Sequence, residues 1–109
     1  MNVNPILQQA FADFDISPAV KDNPSDEYLV YNYADEHPVL RADDSDLLDN
    51  TSIQLHFFTR NDPQQMKQEM RRRLRNAGFT IQSTFQYYED DTKYHHVVVE
   101  AWIEGQVND

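Results

Sequence analysis

Apolar and polar residues alternate along residues 52–59, with Ile53, Leu55 and Phe57 in one set of positions and Gln54 and His56 in the other. Successive side chains of a strand point to opposite faces, so this period of two predicts an antiparallel strand buried on one side. Residues 95–103 repeat the pattern. Val97, Val99, Ala101 and Ile103 take the odd positions and are expected to face the helices, while His96, Val98, Glu100 and Trp102 take the even ones. Before them, Phe79, Ile81 and Phe85 alternate with Thr80, Gln82 and Thr84, which predicts a further strand followed by an acidic turn.

A different period governs residues 61–78. Met66, Met70, Leu74 and Ala77 recur at helical spacing and form a core-facing stripe. Asn61 or Asp62 serves as the cap, Pro63 occupies the first turn, and Gly78 stands beyond the last turn, where a left-handed residue is wanted. A shorter helix is expected over about residues 4–14, with Asn4 as cap, Pro5 in the first turn and Ile6, Ala10, Phe11 and Phe14 along one face. Pro18, Asn23, Pro24 and Ser25 mark a loop, and residues 27–33 a strand. Asp35, Glu36, His37 and Pro38 are expected to turn the chain into a short edge strand starting at Val39 and Leu40, because Pro38 cannot donate to a ladder.

Residues 43–50 are read as a mobile acidic loop, too charged to pack in a dry core. The order is then α-β-β-β-α-β-β. It predicts one α+β domain over residues 1–109, with two helices packed on one face of a mostly antiparallel sheet of about five strands.

Composition narrows the chemistry. The 109 residues carry a formal charge of −10, which opposes specific binding of nucleic-acid phosphate. Charge is polarised: Arg71, Arg72, Arg73 and Arg75 supply four of nine basic residues, while Asp43, Asp44, Asp46 and Asp49 form an acidic stretch. Separated patches of this kind suit head-to-tail association. The arginines fan around ~300° of the helix. They read as solvated charges, nucleic-acid ligands or partners for an acidic neighbouring subunit, and all four are expected to project from the flanks and outer surface of the helix rather than be buried in their own chain. Trp102 on the even face is either an interface anchor or is tucked under a loop or the N-terminal helix.

Two glycines cannot build a phosphate cradle, no cysteine is present, and no Gly-X-Ser-X-Gly elbow occurs. No catalytic or cofactor-binding residue is therefore expected, and the protein is read as no enzyme. His56 and His96 with Glu100 would make a three-ligand zinc group, against the plainer reading of a cross-strand polar pair. Residues 44–49 begin like a calcium loop but put Leu48 at the third ligand position and Asp49 where the turn glycine belongs. No metal is assigned. No run approaches the ~20 apolar residues of a membrane span, and the N-terminus lacks a signal-peptide pattern, so a soluble intracellular protein is expected.

Ala42-Asp43-Asp44, residues 53–59, Asn76-Ala77-Gly78-Phe79, and Tyr87 through Asp91-Thr92-Lys93-Tyr94-His95 resemble the small tail-terminator or tail-completion proteins of long-tailed bacteriophages and prophages. The likeness covers roughly residues 25–104. It implies two helices on a mixed sheet, no catalytic residues, and a homo-oligomeric ring, commonly a hexamer. Such a ring caps the tail tube, joins a head-connector or head-completion protein, and belongs to the virion tail after assembly in the bacterial cytoplasm. In such a ring Arg71, Arg72, Arg73, Arg75 and Trp102 would meet neighbouring subunits, and Asp43, Asp44, Asp46 and Asp49 would line the lumen and repel DNA. The alternative is a small prophage or bacterial regulatory module that binds a protein partner through Trp102.

Overall fold

The computed structural model describes residues 2–18, 27–42 and 45–106. The elements are α1 (Asn4–Ala10), β1 (Ile16–Pro18), β2 (Tyr28–Ala42), β3 (Ser45–Thr59), α2 (Gln64–Asn76), β4 (Thr80–Tyr88) and β5 (His95–Gln106). They form one sheet in the order β1-β2-β3-β5-β4, antiparallel throughout except for the parallel pair β1 and β2. Both helices pack on one face, giving the expected α+β class.

The odd positions build the core as their period implies. Ile53, Leu55 and Phe57 of β3 and Val97, Val99 and Ala101 of β5 are buried with Leu29 and Tyr31 of β2, Leu7 and Phe11 around α1, and Met70 and Leu74 of α2. The start of α2 is displaced by one residue: Pro63 takes the cap position, without a side-chain cap bond, and Asp62 Oδ1 just before it accepts the Gln64 backbone N–H at 3.1 Å. At the far end Gly78 takes φ +104°, and the N–H groups of Gly78 and Phe79 donate to the carbonyls of Arg75 and Leu74 at 3.0 and 2.9 Å. This pairing closes a helix on a left-handed residue. A Cβ at Gly78 would stand 3.4 Å from Ile103, an ordinary contact, so it is the conformation that favours glycine.

Three expectations give way. The turn expected at residues 35–38 is absent, because β2 runs unbroken from Tyr28 to Ala42 with register shifts at Tyr33/Asp35, Pro38/Leu40 and Leu40/Arg41. Asp35, Glu36 and His37 each take a partner on β3, so the irregularity their sequence signals becomes bulges rather than a reversal. Pro38 is tolerated because β2 at that level has no second neighbour among the described residues.

Nor do residues 45–50 form a loop. They extend β3, paired with β2 down to Ala42 and Ser45 and with β5 as far as Leu48 and Gln106. A ladder needs backbone partners, not apolar side chains, and Asp49 is buried within it. Asp46 stands in register with Arg41, while Asp43 and Asp44 lie outside the described residues. The result is a long hairpin arm that draws the molecule to 53 Å along one axis against 24 Å in the other two.

Last, α1 stops at Ala10 instead of 14, and the short β1 lies in a segment read as loop. The order α-β-β-β-α-β-β is observed, yet β1 has no expected counterpart, β2 merges two expected strands, and β3 contains the third and extends it.

Candidate functional site

Two surfaces hold the residues that the sequence marks, and they differ in how far their groups are already satisfied. On α2, Arg73 is turned toward its own chain. Its Nη1 donates to Asp13 Oδ1 at 2.5 Å and to the Ala10 carbonyl at 3.1 Å, Nη2 donates to Asp13 Oδ2 at 3.0 Å, and Nε donates to Glu69 Oε2 at 2.8 Å. Its guanidinium also lies 4.9 Å from the Phe14 ring centre and 5.6 Å from that of Phe11. Outward projection therefore fails for Arg73: the turn after α1 presents a carboxylate and a free carbonyl at the right height, and a planar fork fits both. These bonds hold the Asp13 carboxyl below the usual carboxylate range and raise Arg73 further.

Arg72 also bonds Glu69, through Nε at 3.1 Å and through Nη2, but its side chain stays largely exposed. The arginines together, Arg72 first, hold Glu69 below its ordinary range. Arg75 is exposed, and Arg71 is half-buried with its Nε enclosed and lacking a hydrogen-bond partner. Of the four arginines, Arg72 and Arg75 keep the outward position expected of all, and Arg71 keeps it in part.

The sheet face away from the helices is a different surface. Even positions of β3 and β5 define it, and the register lays them out in rows across four strands. Tyr28, Phe58, His96 and Tyr87 make one row; Val30, His56, Val98 and Phe85 the next; Asn32, Gln54, Glu100 and Ser83 the third; Asp35, Ser52, Trp102 and Thr80 the last. In the first row Tyr28 stacks on Phe58 at 4.7 Å and Phe58 on His96 at 4.1 Å, with Tyr94 set edgewise against both aromatics and Arg60 4.2 Å over the Tyr94 ring.

His56 Nδ1 lies 2.8 Å from His96 Nε2, and His56 Nε2 lies 2.9 Å from Asn32 Oδ1. Since an amide oxygen only accepts, His56 carries its proton on Nε2, and His96 Nε2–H donates to the bare His56 Nδ1. On its other side His96 Nδ1 stands 3.8 Å from Glu89. Burial pushes both imidazoles down from their ordinary values; the charge of His96 depresses His56 further, while Glu89 pulls His96 partly back up.

Glu100 is not part of this pair. It accepts from Ser83 Oγ at 2.6 Å and from Gln54 Nε2 at 3.0 Å, bonds that hold its carboxyl below its usual range. The two histidines thus make a cross-strand polar pair and the carboxylate sits a row away. No group of three or more metal-ligating side chains gathers among the described residues.

Trp102 is half-buried on this open face, so its tuck under α1 is ruled out by register, the helix being on the other side. Phe85, Tyr87 and Tyr88 are among the exposed large hydrophobics. Sequence reasoning singled out His56, His96, Glu100 and Trp102 here but missed Tyr28, Phe58 and Tyr87 as their neighbours. The parity of β3 and β5 carried that signal, and only cross-strand register was lacking. Compared with known proteins, the chain matches no protein-family model and no curated protein sequence.

Proposed function

We propose that this protein assembles with copies of itself into a ring that caps or completes a phage tail tube and joins it to the head connector. The observation that carries self-association is the open sheet face: a half-buried Trp102 and exposed Phe85 and Tyr87 on rigid paired strands, left uncovered by either helix. Rigid aromatic anchors surrounded by polar groups are what interface centres are made of. The tail assignment rests on the resemblance, whose stretches fall on β3, on the glycine stop of α2 and on the hairpin joining β4 to β5. The outward Arg72 and Arg75, on a molecule of net charge −10, favour a neighbour rich in carboxylates.

The same open face supports the second reading, a small regulatory module that captures one protein partner. Native mass spectrometry over a wide concentration range, alone and with tail-tube protein, separates the two. A closed oligomer bound to the tube protein is expected. A monomer under both conditions would overturn the ring.

A further inference from the structure

The sheet has two outer strands of opposite character. β1 is three residues long and ends in Pro18, a blunted edge of the kind that resists pairing. β4 is nine residues long, contains neither a charge nor a proline, and is paired only with β5 among the described residues. A bulge between Ile81 and Ser83 leaves residues 83–88 as its unbroken part, with Phe85, Tyr87 and Tyr88 exposed. An edge like this is a template for another strand.

A second unpaired edge lies across the molecule. β2 meets β1 only at residues 29–31, so the outer side of its continuation into the arm has no partner strand among the described residues. Pro38 breaks that edge and a register shift falls between Tyr33 and Asp35, so residues 33–37 offer a short ladder with one bulge in it. β2 and β4 run in opposite directions, since β3 opposes β2, β5 opposes β3 and β4 opposes β5. A copy placed to continue the sheet therefore sets its β2 antiparallel to β4.

Charge favours the same placement. Lys67 Nζ reaches Gln86 Oε1 on β4 at 3.1 Å, and Arg71 follows one turn later on that flank of α2. Residues 35–50 hold six carboxylates against one arginine. Glu36 pairs in register with buried Thr51 and Gln86 with buried Val97, which puts acid and base on the same side of the extended sheet.

We infer that copies of this chain join by strand addition, residues 33–37 of β2 in one copy pairing antiparallel with residues 83–88 of β4 in the next. This rests on the self-association put forward above and adds an edge contact to the face contact, the two meeting at Phe85 and Tyr87, which lie on β4 and on the open face alike. The two segments are offset by about five residues, or about 17 Å along the strands. Head-to-tail contacts with such a stagger close into a ring when strand tilt takes up the offset.

The chain has no cysteine, so two single variants, His37→Cys and Phe85→Cys, can be mixed and treated with a short bismaleimide. Within one chain these sites are about 14 Å apart across the sheet, with the stagger added, beyond the reach of such a linker. The expected result is a crosslinked heterodimer as the main adduct of the mixture, little adduct from either variant alone, and a ladder of multimers from the double variant. In the unmodified protein, amide exchange at residues 33–37 and 83–88 should slow as concentration rises. Crosslinking of Phe85→Cys with itself would replace the inference with a two-fold β4 contact. An oligomer that gives no mixed crosslink and no added protection in these segments would overturn the edges and leave the ring standing. A monomer at every concentration would overturn both.

Discussion

One sheet presents two faces built from the same strands, and they differ in what completes them. On the helix side Leu55, Val99, Met70 and Leu74 are fully enclosed by their own chain. On the other side the first three rows satisfy one another, through the His56 and His96 pair, the stacked Phe58 and the Glu100 bonds, while Trp102, Phe85 and Tyr87 keep solvent-facing surface. A face that is internally ordered but externally unfinished differs from a core in one measurable way: its outer residues matter little to folding.

The largest effect belongs to the covered face. Leu74→Ala removes a fully buried side chain between α2 and the sheet and should cost about 2–5 kcal/mol in chemical unfolding. A loss under 1 kcal/mol would mean that α2 is not docked as described. Next comes Arg73→Ala, which frees α1 from α2 by removing the bonds to Asp13, Glu69 and the Ala10 carbonyl. Because Asp13 is exposed, the expected cost is only about 1 kcal/mol, part of it lost packing on Phe14. Arg72→Ala should change the unfolding midpoint little, since its bonded partner among the described residues is Glu69 a turn away on an exposed face. Equal effects from the two would erase the distinction between the inward and outward arginine. Reversing Arg72 and Arg73 together would confound folding with assembly; Arg72→Glu alone is the cleaner probe.

The histidine pair supplies a pH test of the open face. Both folded imidazoles sit below their unfolded value of about 6.5. The unfolded chain therefore binds more protons in this range, and the stability contributed by the neutral pair is present above about pH 6.5 and lost as pH falls through the depressed folded values. One proton can be shared, with His96 charged between Glu89 and the bare His56 nitrogen; a second breaks the bond. Unfolding midpoints measured between pH 7.5 and 5 should fall, and fall less in His56→Asn, which cannot take the second proton. A profile unaltered by that substitution would remove the pair from the account.

Much of the fold was legible, and the gaps have physical causes. The odd faces of β3 and β5 and the start and stop of α2 are local signals: alternation, a proline, a glycine that must take positive φ. The arm was misread because residues 43–50 look like solvent, whereas strand pairing is decided by what lies opposite, here residues 35–42 and the end of β5. Asp35 through Pro38 carry real turn chemistry that pairing converted into bulges. Arg73 was misplaced for a similar reason: its partners Asp13 and Ala10 are about 60 residues away, and nothing local announces them. The rows of the open face needed register, which one sequence does not contain.

The central claim is that the open face is finished by another copy of the chain. Its most direct test is sedimentation velocity of the unmodified protein beside Trp102→Ala across a wide concentration range, with unfolding midpoints measured on both. The account predicts a discrete oligomer for the unmodified chain, a shift of the variant toward monomer by at least tenfold in concentration, and a folding loss well below that of Leu74→Ala. An unmodified chain that stays monomeric, or a variant that assembles as the unmodified chain does, would contradict it.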